Sequence, residues 1–240
     1  MNITNKKLRQ ATNMANTLHD TSGLYVLKQA NIKYLDAIFL KDEQLQILST
    51  YEIKQFPQNH IQQFCLSRGV YCLPTTELIE FLKQEIGQQR LGKIAIEIGA
   101  GNGAISRALN IIATDSYMHN DLNVQVHYKR GKQPITKYGN NVHKLDAEQA
   151  IKKFTPTTVI GAFITHKFKE ERRFEAGNMY GVEEESIIQA GIKYIFIGNE
   201  ETHKEKYVKK LFPEYQKHKF DFLICKVIDQ KKNVIWIWNA

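Results

Sequence analysis

The sequence predicts an α/β protein whose seven-stranded sheet is mostly parallel and ends in an antiparallel hairpin. Near residue 90, polar helix-compatible stretches give way to short β-rich apolar runs that alternate with helical or loop segments. The predicted strands are Lys93–Ile98, Ile111–Asp115, His143–Leu145, Thr158–Ile164, Lys193–Ile197, Phe222–Ile228 and Val234–Trp238. Only five polar residues separate the last two, which suffices for a hairpin and excludes a parallel crossover.

The first 75 residues predict a helical extension that precedes the α/β domain of residues 76–240 and could cover its site. Helical patterns occur over Asn5–Leu18, about 42–54 and about 59–66. The α/β domain opens with a predicted helix over Glu77–Ile86, in which Leu78 and Leu82 belong to an apolar stripe. Thr75 or Thr76 can cap its first free backbone N–H groups.

The bulk composition is that of a globular protein, because 42% of the residues are hydrophobic and 10% are aromatic. The chain shows no membrane-spanning apolar run and no secretory signal, so we expect a cytoplasmic protein without membrane contact. Cys65, Cys72 and Cys225 fit no metal-ligand spacing, and we expect reduced thiols and no metal. The formal charge of +8 indicates either a nucleic-acid partner or simply a solvated basic surface.

The most informative segment is the glycine-rich loop Glu97-Ile-Gly99-Ala-Gly101-Asn-Gly103, between a predicted strand and a predicted helix. Glycine allows a tight turn and close approach of a ligand to the backbone, and the helix start offers free N–H groups. The next strand ends in Asp115, 18 residues after Glu97, where an acid can accept hydrogen bonds from ribose hydroxyls. The third strand ends near Asp146.

These residues resemble the first motif of class I, Rossmann-like S-adenosylmethionine-dependent methyltransferases, acid-x-Gly-x-Gly-x-Gly. The resemblance covers roughly residues 75–240, and the terminal hairpin is similar to the family's reversed last strand. It implies S-adenosylmethionine as cofactor, with Glu97 and the backbone of Gly99, Gly101 and Gly103 holding the methionine part. Asp115 would bind the ribose and Asp146 the adenine amine. Asp146 is equally compatible with a strand-end cap or a surface charge.

Two other functional classes remain open. Gly99-x-Gly101-x-x-Ala104 also satisfies a relaxed NAD(P) fingerprint, as in Rossmann oxidoreductases. Glu97 weighs against this class, because its negative charge would lie near a pyrophosphate and suits an amino group better. The third class is a non-catalytic module that keeps the fold and binds RNA through a basic rim.

The methyl acceptor is expected to be an O or N nucleophile on a nucleic acid, a protein or a small molecule. In the family the end of the fourth strand borders the methyl group, which here places Thr165 and His166 as weak catalytic candidates. His166 can act as a base or merely cap a strand. Asn199 can bind substrate or form a turn. Glu183-Glu184-Glu185 is interpreted as a solvated helix start.

The long segment Ser116–Asn141 is a candidate substrate-binding region. Its basic and aromatic side chains, among them Tyr117, Lys129 and Arg130, are of types that neutralise phosphates and stack on bases. The alternative is a surface hairpin that pairs Val124–Lys129 with Pro134–Lys137. A second basic cluster is interpreted as a solvated helix face; it comprises Lys167, Lys169, Arg172 and Arg173. Trp236, Trp238 and Cys225 are predicted core residues.

Overall fold

The structure is a computed structural model that describes residues 32–87, 92, 94–131, 134–170, 177–227 and 229–239. The predicted helix Asn5–Leu18 lies outside these residues. The N-terminal part contains α1 (Lys33–Phe39), β1 (Leu40–Lys41), β2 (Gln44–Leu45), α2 (Thr50–Ile53) and α3 (Gln58–Arg68). None of the described helices combines the length and the apolar character needed to cross a bilayer.

The helix predicted over 42–54 is wrong for most of its length. Asp42 and Glu43 adopt positive φ angles of 50° and 61°, so β1 and β2 form a hairpin with a two-residue turn. Helical structure starts only at α2, where Ser49 accepts a hydrogen bond from the Glu52 N–H and the Glu52 carboxylate bonds the Ser49 N–H in return. The helix predicted over 59–66 is confirmed as α3.

The helix predicted to follow Thr75 is confirmed as α4 (Thr76–Ile86). The Thr75 hydroxyl accepts a hydrogen bond from the Leu78 N–H at 3.1 Å, so Thr75 is the capping residue. The further elements are β3 (Ala95–Ile98), α5 (Ala104–Leu109), β4 (Ile112–Asp115), α6 (Leu122–Arg130), β5 (Val142–Lys144), α7 (Ala147–Phe154), β6 (Thr158–Ala162), α8 (Glu184–Gln189), β7 (Lys193–Asn199), α9 (Tyr207–Leu211), β8 (Gln216–His218) and β9 (Asn233–Trp238).

Seven of the strands form one sheet in the order β5-β4-β3-β6-β7-β9-β8. The first five are parallel, and β9 runs antiparallel to both β7 and β8. The predicted Rossmann-like α/β sheet with an antiparallel C-terminal hairpin is therefore confirmed. The order of the strands reverses between β3 and β6, and ligands of open α/β sheets bind at such a reversal, beyond the carboxyl ends of the strands.

The position of the sixth strand of this sheet was predicted wrongly. The strand is β8, whereas the predicted run Phe222–Ile228 is irregular over its described residues except for one β-bridge between Cys225 and Cys72. The run is apolar because Leu223 and Cys225 belong to the buried core. The side-chain amide of Asn233 donates a hydrogen bond to the Leu223 carbonyl at 2.7 Å. The connection within the terminal hairpin is consequently longer than five residues.

Helices cover both faces of the sheet. One apolar cluster joins α4 and α5 to alternate residues of the central strands, such as Ile195 and Ile197. The other joins α7, α8 and α9 to the opposite face, where Trp236 and Trp238 are buried, as predicted. Cys225 is also buried, as predicted.

Candidate functional site

A cavity lies at the carboxyl ends of β3, β4 and β6, where the strand order reverses, and is called the first cavity below. It encloses about 200 Å³. Its lining includes the glycine loop, the ends of β4 and β6, and Gly69, Tyr71 and Cys72 from the segment between α3 and α4. Residues that precede α4 thus contribute to the lining of the cavity, and a covering role for the N-terminal extension stays a prediction.

The glycine loop requires glycine for reasons of both backbone and space. Gly99, Gly101 and Gly103 have φ angles of +59°, +54° and +65°. A Cβ atom on Gly99 would lie 2.6 Å from Cγ2 of Ile164, and one on Gly101 would lie 3.1 Å from a methyl carbon of Thr136. Glycine is therefore required at these positions of the turn, and the loop lines the cavity with Gly99, Ala100, Gly101 and Asn102.

Glu97 is buried directly beneath this loop. Its carboxylate accepts a hydrogen bond from the Ser106 N–H at 2.9 Å, in the first turn of α5. Burial raises the pKa of Glu97 to about 7, although the Ser106 hydrogen bonds oppose the shift. Asn102 accepts a hydrogen bond from the Ala104 N–H at 2.9 Å. Two N–H groups at the start of α5 are therefore bonded by side chains of the protein itself.

Asp115 and Asp146 line the same cavity from the ends of the next two strands. Asp115 accepts hydrogen bonds from the Gly101 N–H at 3.0 Å and the Tyr117 N–H at 2.9 Å, and burial raises its pKa. Asp146 is the N-cap of α7, where it accepts a hydrogen bond from the Gln149 N–H at 2.8 Å. Asp146 therefore caps a helix, where a strand-end cap was the stated alternative, and its adenine role stays a prediction.

The charge of the first cavity is of one sign. Among the described residues, Glu97, Asp115 and Asp146 are its carboxylates, and no lysine or arginine lines it. His119 also lines it, but burial lowers the pKa of its imidazole. Such a cavity favours a ligand that carries positive charge.

An aromatic wall of the first cavity was not identified from the sequence as a unit; it comprises Tyr71, His119, Tyr128 and Tyr138. The His119 and Tyr128 ring centroids are 4.4 Å apart. Nδ1 of His119 accepts a hydrogen bond from the Thr136 N–H at 2.9 Å, which places the ring proton on Nε2. That buried Nε2 has no hydrogen-bond partner among the described residues. The density of aromatic residues in Ser116–Asn141 was the available signal.

A second cavity of about 630 Å³ lies beside the first. Five residues line both cavities and are called the shared wall: Tyr71, Tyr128, Phe163, Ile164 and Thr165. The rest of the second cavity is lined by His127, Arg130, Gly131, His166, Gly177, Thr202, His203, Glu205, Lys206 and Lys226.

The two catalytic candidates differ in the cavities that they line. Thr165 belongs to the shared wall and lines both cavities. His166 is buried and lines only the second cavity, where Nε2 of its ring would lie 3.1 Å from a Cβ atom on Gly177. His166 is therefore placed to meet a molecule in the second cavity, and not one in the first.

The candidate substrate-binding residues separate in the same way. Arg130 lines the second cavity, whereas Lys129, its neighbour on α6, is exposed and lines neither. Tyr117 also lines neither; it stacks on Tyr138 at 3.9 Å and donates a hydrogen bond to the Val142 carbonyl. The alternative of a surface hairpin over 124–137 is wrong, because Asp121 caps the helix α6 there.

Asn199 fills the turn role that was its alternative. Its side-chain amide donates to Asn233 Oδ1 at 3.0 Å and to the Asp229 carbonyl, and its oxygen accepts from the Glu201 and Thr202 N–H groups. It is buried and lines neither cavity, so a substrate role finds no support in its position.

The interpretation of Glu183–Glu185 as a solvated helix start is wrong for Glu184. Glu184 is fully buried, forms an ion pair with Lys206 and accepts a hydrogen bond from the Tyr194 hydroxyl. Of the second basic cluster, Lys169 pairs with Glu183 and Glu185, whereas Arg172 and Arg173 lie outside the described residues.

No protein-family model matches this sequence, and a comparison with curated proteins finds no significant match. Weak similarity is found to solved structures that include SMU.776, provisionally classed as a methyltransferase and crystallised with SAH, at 13% identity and a TM-score of 0.30. The similarity covers 61% of this chain and 44% of SMU.776, so this chain spans less than half of that protein. The CurJ carbon methyltransferase is 10% identical at a TM-score of 0.34, covering 96% of this chain and 70% of CurJ. Similarity at this level assigns no function by itself.

Proposed function

We propose that this protein is an S-adenosylmethionine-dependent methyltransferase that acts on an O or N nucleophile. The observation that carries the proposal is the charge of the first cavity, whose described lining contains carboxylates but no lysine or arginine and includes the tight glycine loop. S-adenosylmethionine carries a cationic sulfonium and an ammonium group, which carboxylates attract. The resemblance of the segment around Glu97, Gly99 and Gly101 to the methyltransferase motif supports the same cofactor.

The residues present fit this cofactor. Glu97 and the loop backbone would hold the methionine part, Asp115 the ribose hydroxyls, and Asp146 the adenine amine. The enclosed volume of about 200 Å³ is below the roughly 300 Å³ at which small-molecule pockets usually begin, so the cofactor would also occupy the cavity mouth. When bound, the cofactor supplies an electrophilic methyl group on a sulfonium that leaves as a neutral thioether.

Methyl transfer needs little from the protein beyond alignment of the two reactants. Thr165, on the shared wall, would border the reacting atoms. A base is needed only for a nucleophile that must lose a proton early. His166 would serve an acceptor that enters through the second cavity, because it lines that cavity alone.

The site is less suited to a nicotinamide dinucleotide. A pyrophosphate bound at the loop would face Glu97 and Asp115, both acidic. The N–H groups that would bind it are partly occupied, because Ala104 and Ser106 donate to side chains of the protein. The RNA-binding module remains a separate possibility that depends on the basic surface alone.

Calorimetric titration with S-adenosylmethionine, S-adenosylhomocysteine and NAD tests the proposal. We expect the first two to bind and NAD not to bind. Gly101→Asp should abolish this binding, because the new side chain fills the cradle in a strained backbone conformation. Gly191→Asp is the matched control, since Gly191 also has positive φ (+72°) but a Cβ atom added there would meet no described atom within 4 Å beyond its chain neighbours.

Two outcomes would contradict the proposal. NAD binding alone would identify an oxidoreductase. Failure of all three ligands with a folded protein would favour the RNA-binding module. That module predicts RNA affinity that falls steeply with salt and survives Gly101→Asp.

A further inference from the structure

The second cavity differs from the first in the charges that line it. Its cationic side chains are Arg130, Lys206 and Lys226, and Glu205 is the one carboxylate that the described residues contribute. Its volume of about 630 Å³ lies within the range of small-molecule pockets. The net charge available to a ligand depends on which of these groups are already paired.

Two of the four charges are neutralised within the protein. Lys206 is buried and forms its ion pair with the equally buried Glu184. Glu205 is half exposed and lies 3.6 Å from the ammonium of Lys210. Neither side chain therefore contributes a full charge to the cavity.

Lys226 and Arg130 lack such compensation. Within the described part of the chain, neither forms an ion pair with a carboxylate. The Lys226 ammonium lies 3.6 Å from the centroid of the Tyr71 ring, against the shared wall. Buried or partly buried charges are normally paired, so an uncompensated ammonium beside a cavity indicates a site for an anion.

The pKa shifts of Lys226 and His203 describe the charge state of two groups in the second cavity. Burial lowers the pKa of Lys226 to about 8, which still leaves the ammonium mostly protonated at pH 7. Burial also lowers the pKa of His203 to about 3, and the positive charges of Lys206, Lys209 and Lys226 add to that shift. His203 is thus a neutral member of the lining.

We propose that the second cavity binds a small acceptor molecule through a carboxylate or phosphate group held by Lys226 and Arg130. That the bound molecule is a methyl acceptor rests on the proposed methyltransferase function, whereas the anion site itself does not depend on that function. Because Lys226 lies against Tyr71, an anion bound there would direct the remainder of the molecule toward Thr165 and the first cavity. Arg130, at the exposed end of α6, would close the site from the solvent side.

The test uses phenyl phosphate and benzoate as anionic probes and benzyl alcohol as the neutral probe, titrated calorimetrically without cofactor. We expect at least one anion to bind, and benzyl alcohol to bind at least tenfold more weakly. Lys226→Met and Arg130→Gln should each weaken anion binding about tenfold or more, because each removes a charge-assisted hydrogen bond. Lys231→Met, an exposed lysine away from the cavity, should leave it unchanged.

Titration of the same variants with S-adenosylhomocysteine separates the two proposals. Anion binding without S-adenosylhomocysteine binding would support the anion site and contradict the methyltransferase. S-adenosylhomocysteine binding with no anion binding, or with equal binding of benzyl alcohol, would overturn the anion site. Arg130→Gln keeps the test decisive if Lys226→Met does not fold, because Arg130 is exposed. Binding of single-stranded RNA through Lys226 and Arg130, with no affinity for phenyl phosphate, would also overturn it.

Discussion

The two cavities share a wall but have opposite charge. The first is lined by Glu97, Asp115 and Asp146 without a lysine or arginine among the described residues. The second contains Lys226 and Arg130, for which the described part of the chain provides no ion pair. A cationic ligand in one and an anionic ligand in the other would attract each other across the wall. If the proposed cofactor and anionic acceptor bind there, this difference in charge would direct each of them to its own cavity.

The shared wall itself remains neutral. Burial raises the pKa of both Tyr71 and Tyr128, whose hydroxyls are hydrogen-bonded to each other, so both stay protonated at physiological pH. Phe163 and Ile164 are apolar and buried. A neutral wall has a lower dielectric constant than water. It therefore screens the charges of the two cavities from each other less than water would.

The largest expected effect is on protein stability and concerns Lys206, whose charge is neutralised by Glu184. Lys206→Met should lower the free energy of unfolding by about 3–5 kcal/mol, because it leaves Glu184 buried without its partner. Denaturant unfolding followed by circular dichroism measures this loss. Lys204→Met is the matched control, since the Lys204 ion pair is mostly exposed and should be worth less than about 1 kcal/mol.

The double variant Lys206→Met/Glu184→Leu sharpens the comparison further. It removes both charges of the pair, and its stability should lie well above that of Lys206→Met alone. Its affinity for phenyl phosphate should be within about twofold of the original protein, because a neutral pair is lost. A loss similar to that of Lys226→Met would mean that Lys206 also holds the anion.

A pH dependence is expected for the first cavity. Because burial raises the pKa of Glu97 to about 7, its carboxylate becomes ionised only near neutral pH. Binding of the ammonium of S-adenosylmethionine requires that ionised form, so affinity should rise about tenfold between pH 6 and pH 7.5. Titration calorimetry at several pH values measures this rise.

Glu97→Gln serves as the reference, because any pH dependence that comes from ionisation of the ligand itself is the same in this variant. Its affinity should be low and vary less with pH than that of the original protein. The stability of the ligand-free protein should change with pH in the opposite direction. Because the pKa of Glu97 in the folded protein exceeds the unfolded value of 4.5, the contribution of Glu97 makes the free energy of unfolding fall as pH rises from about 4.5 to 7. An affinity independent of pH would exclude Glu97 as the ammonium partner.

The same two cavities show what could be predicted from sequence. Part of the first lies within residues 97–115, where strand, glycine loop and acid follow one another, and their order and spacing indicate a ligand. Its aromatic wall, by contrast, comes from separate segments. The second assembles Tyr71, Arg130, His203 and Lys226 from four distant segments. No local pattern connects them, so only the folded chain brings them together.

The errors in the predicted fold have a related cause. The run Phe222–Ile228 is apolar because Leu223 and Cys225 are buried, and apolar periodicity indicates burial without saying whether a segment pairs as a strand. The acid Glu184 was misread for the opposite reason, since its partner Lys206 lies 22 residues away. The central parallel strands β3, β6 and β7 were easier to predict because their runs are almost entirely buried and separated by helices.

The smallest expected effect distinguishes the two roles of Asp146. Asp146→Ala should cost about 1 kcal/mol of stability by removing the N-cap of α7, whereas Asp146→Ser keeps a capping oxygen and should cost little. If Asp146 also binds the adenine amine, as we expect from its place in the first cavity, both variants should weaken S-adenosylhomocysteine binding several-fold. Full affinity in Asp146→Ser would limit Asp146 to capping, and the acidity that acts on the cofactor would then come from Glu97 and Asp115 alone.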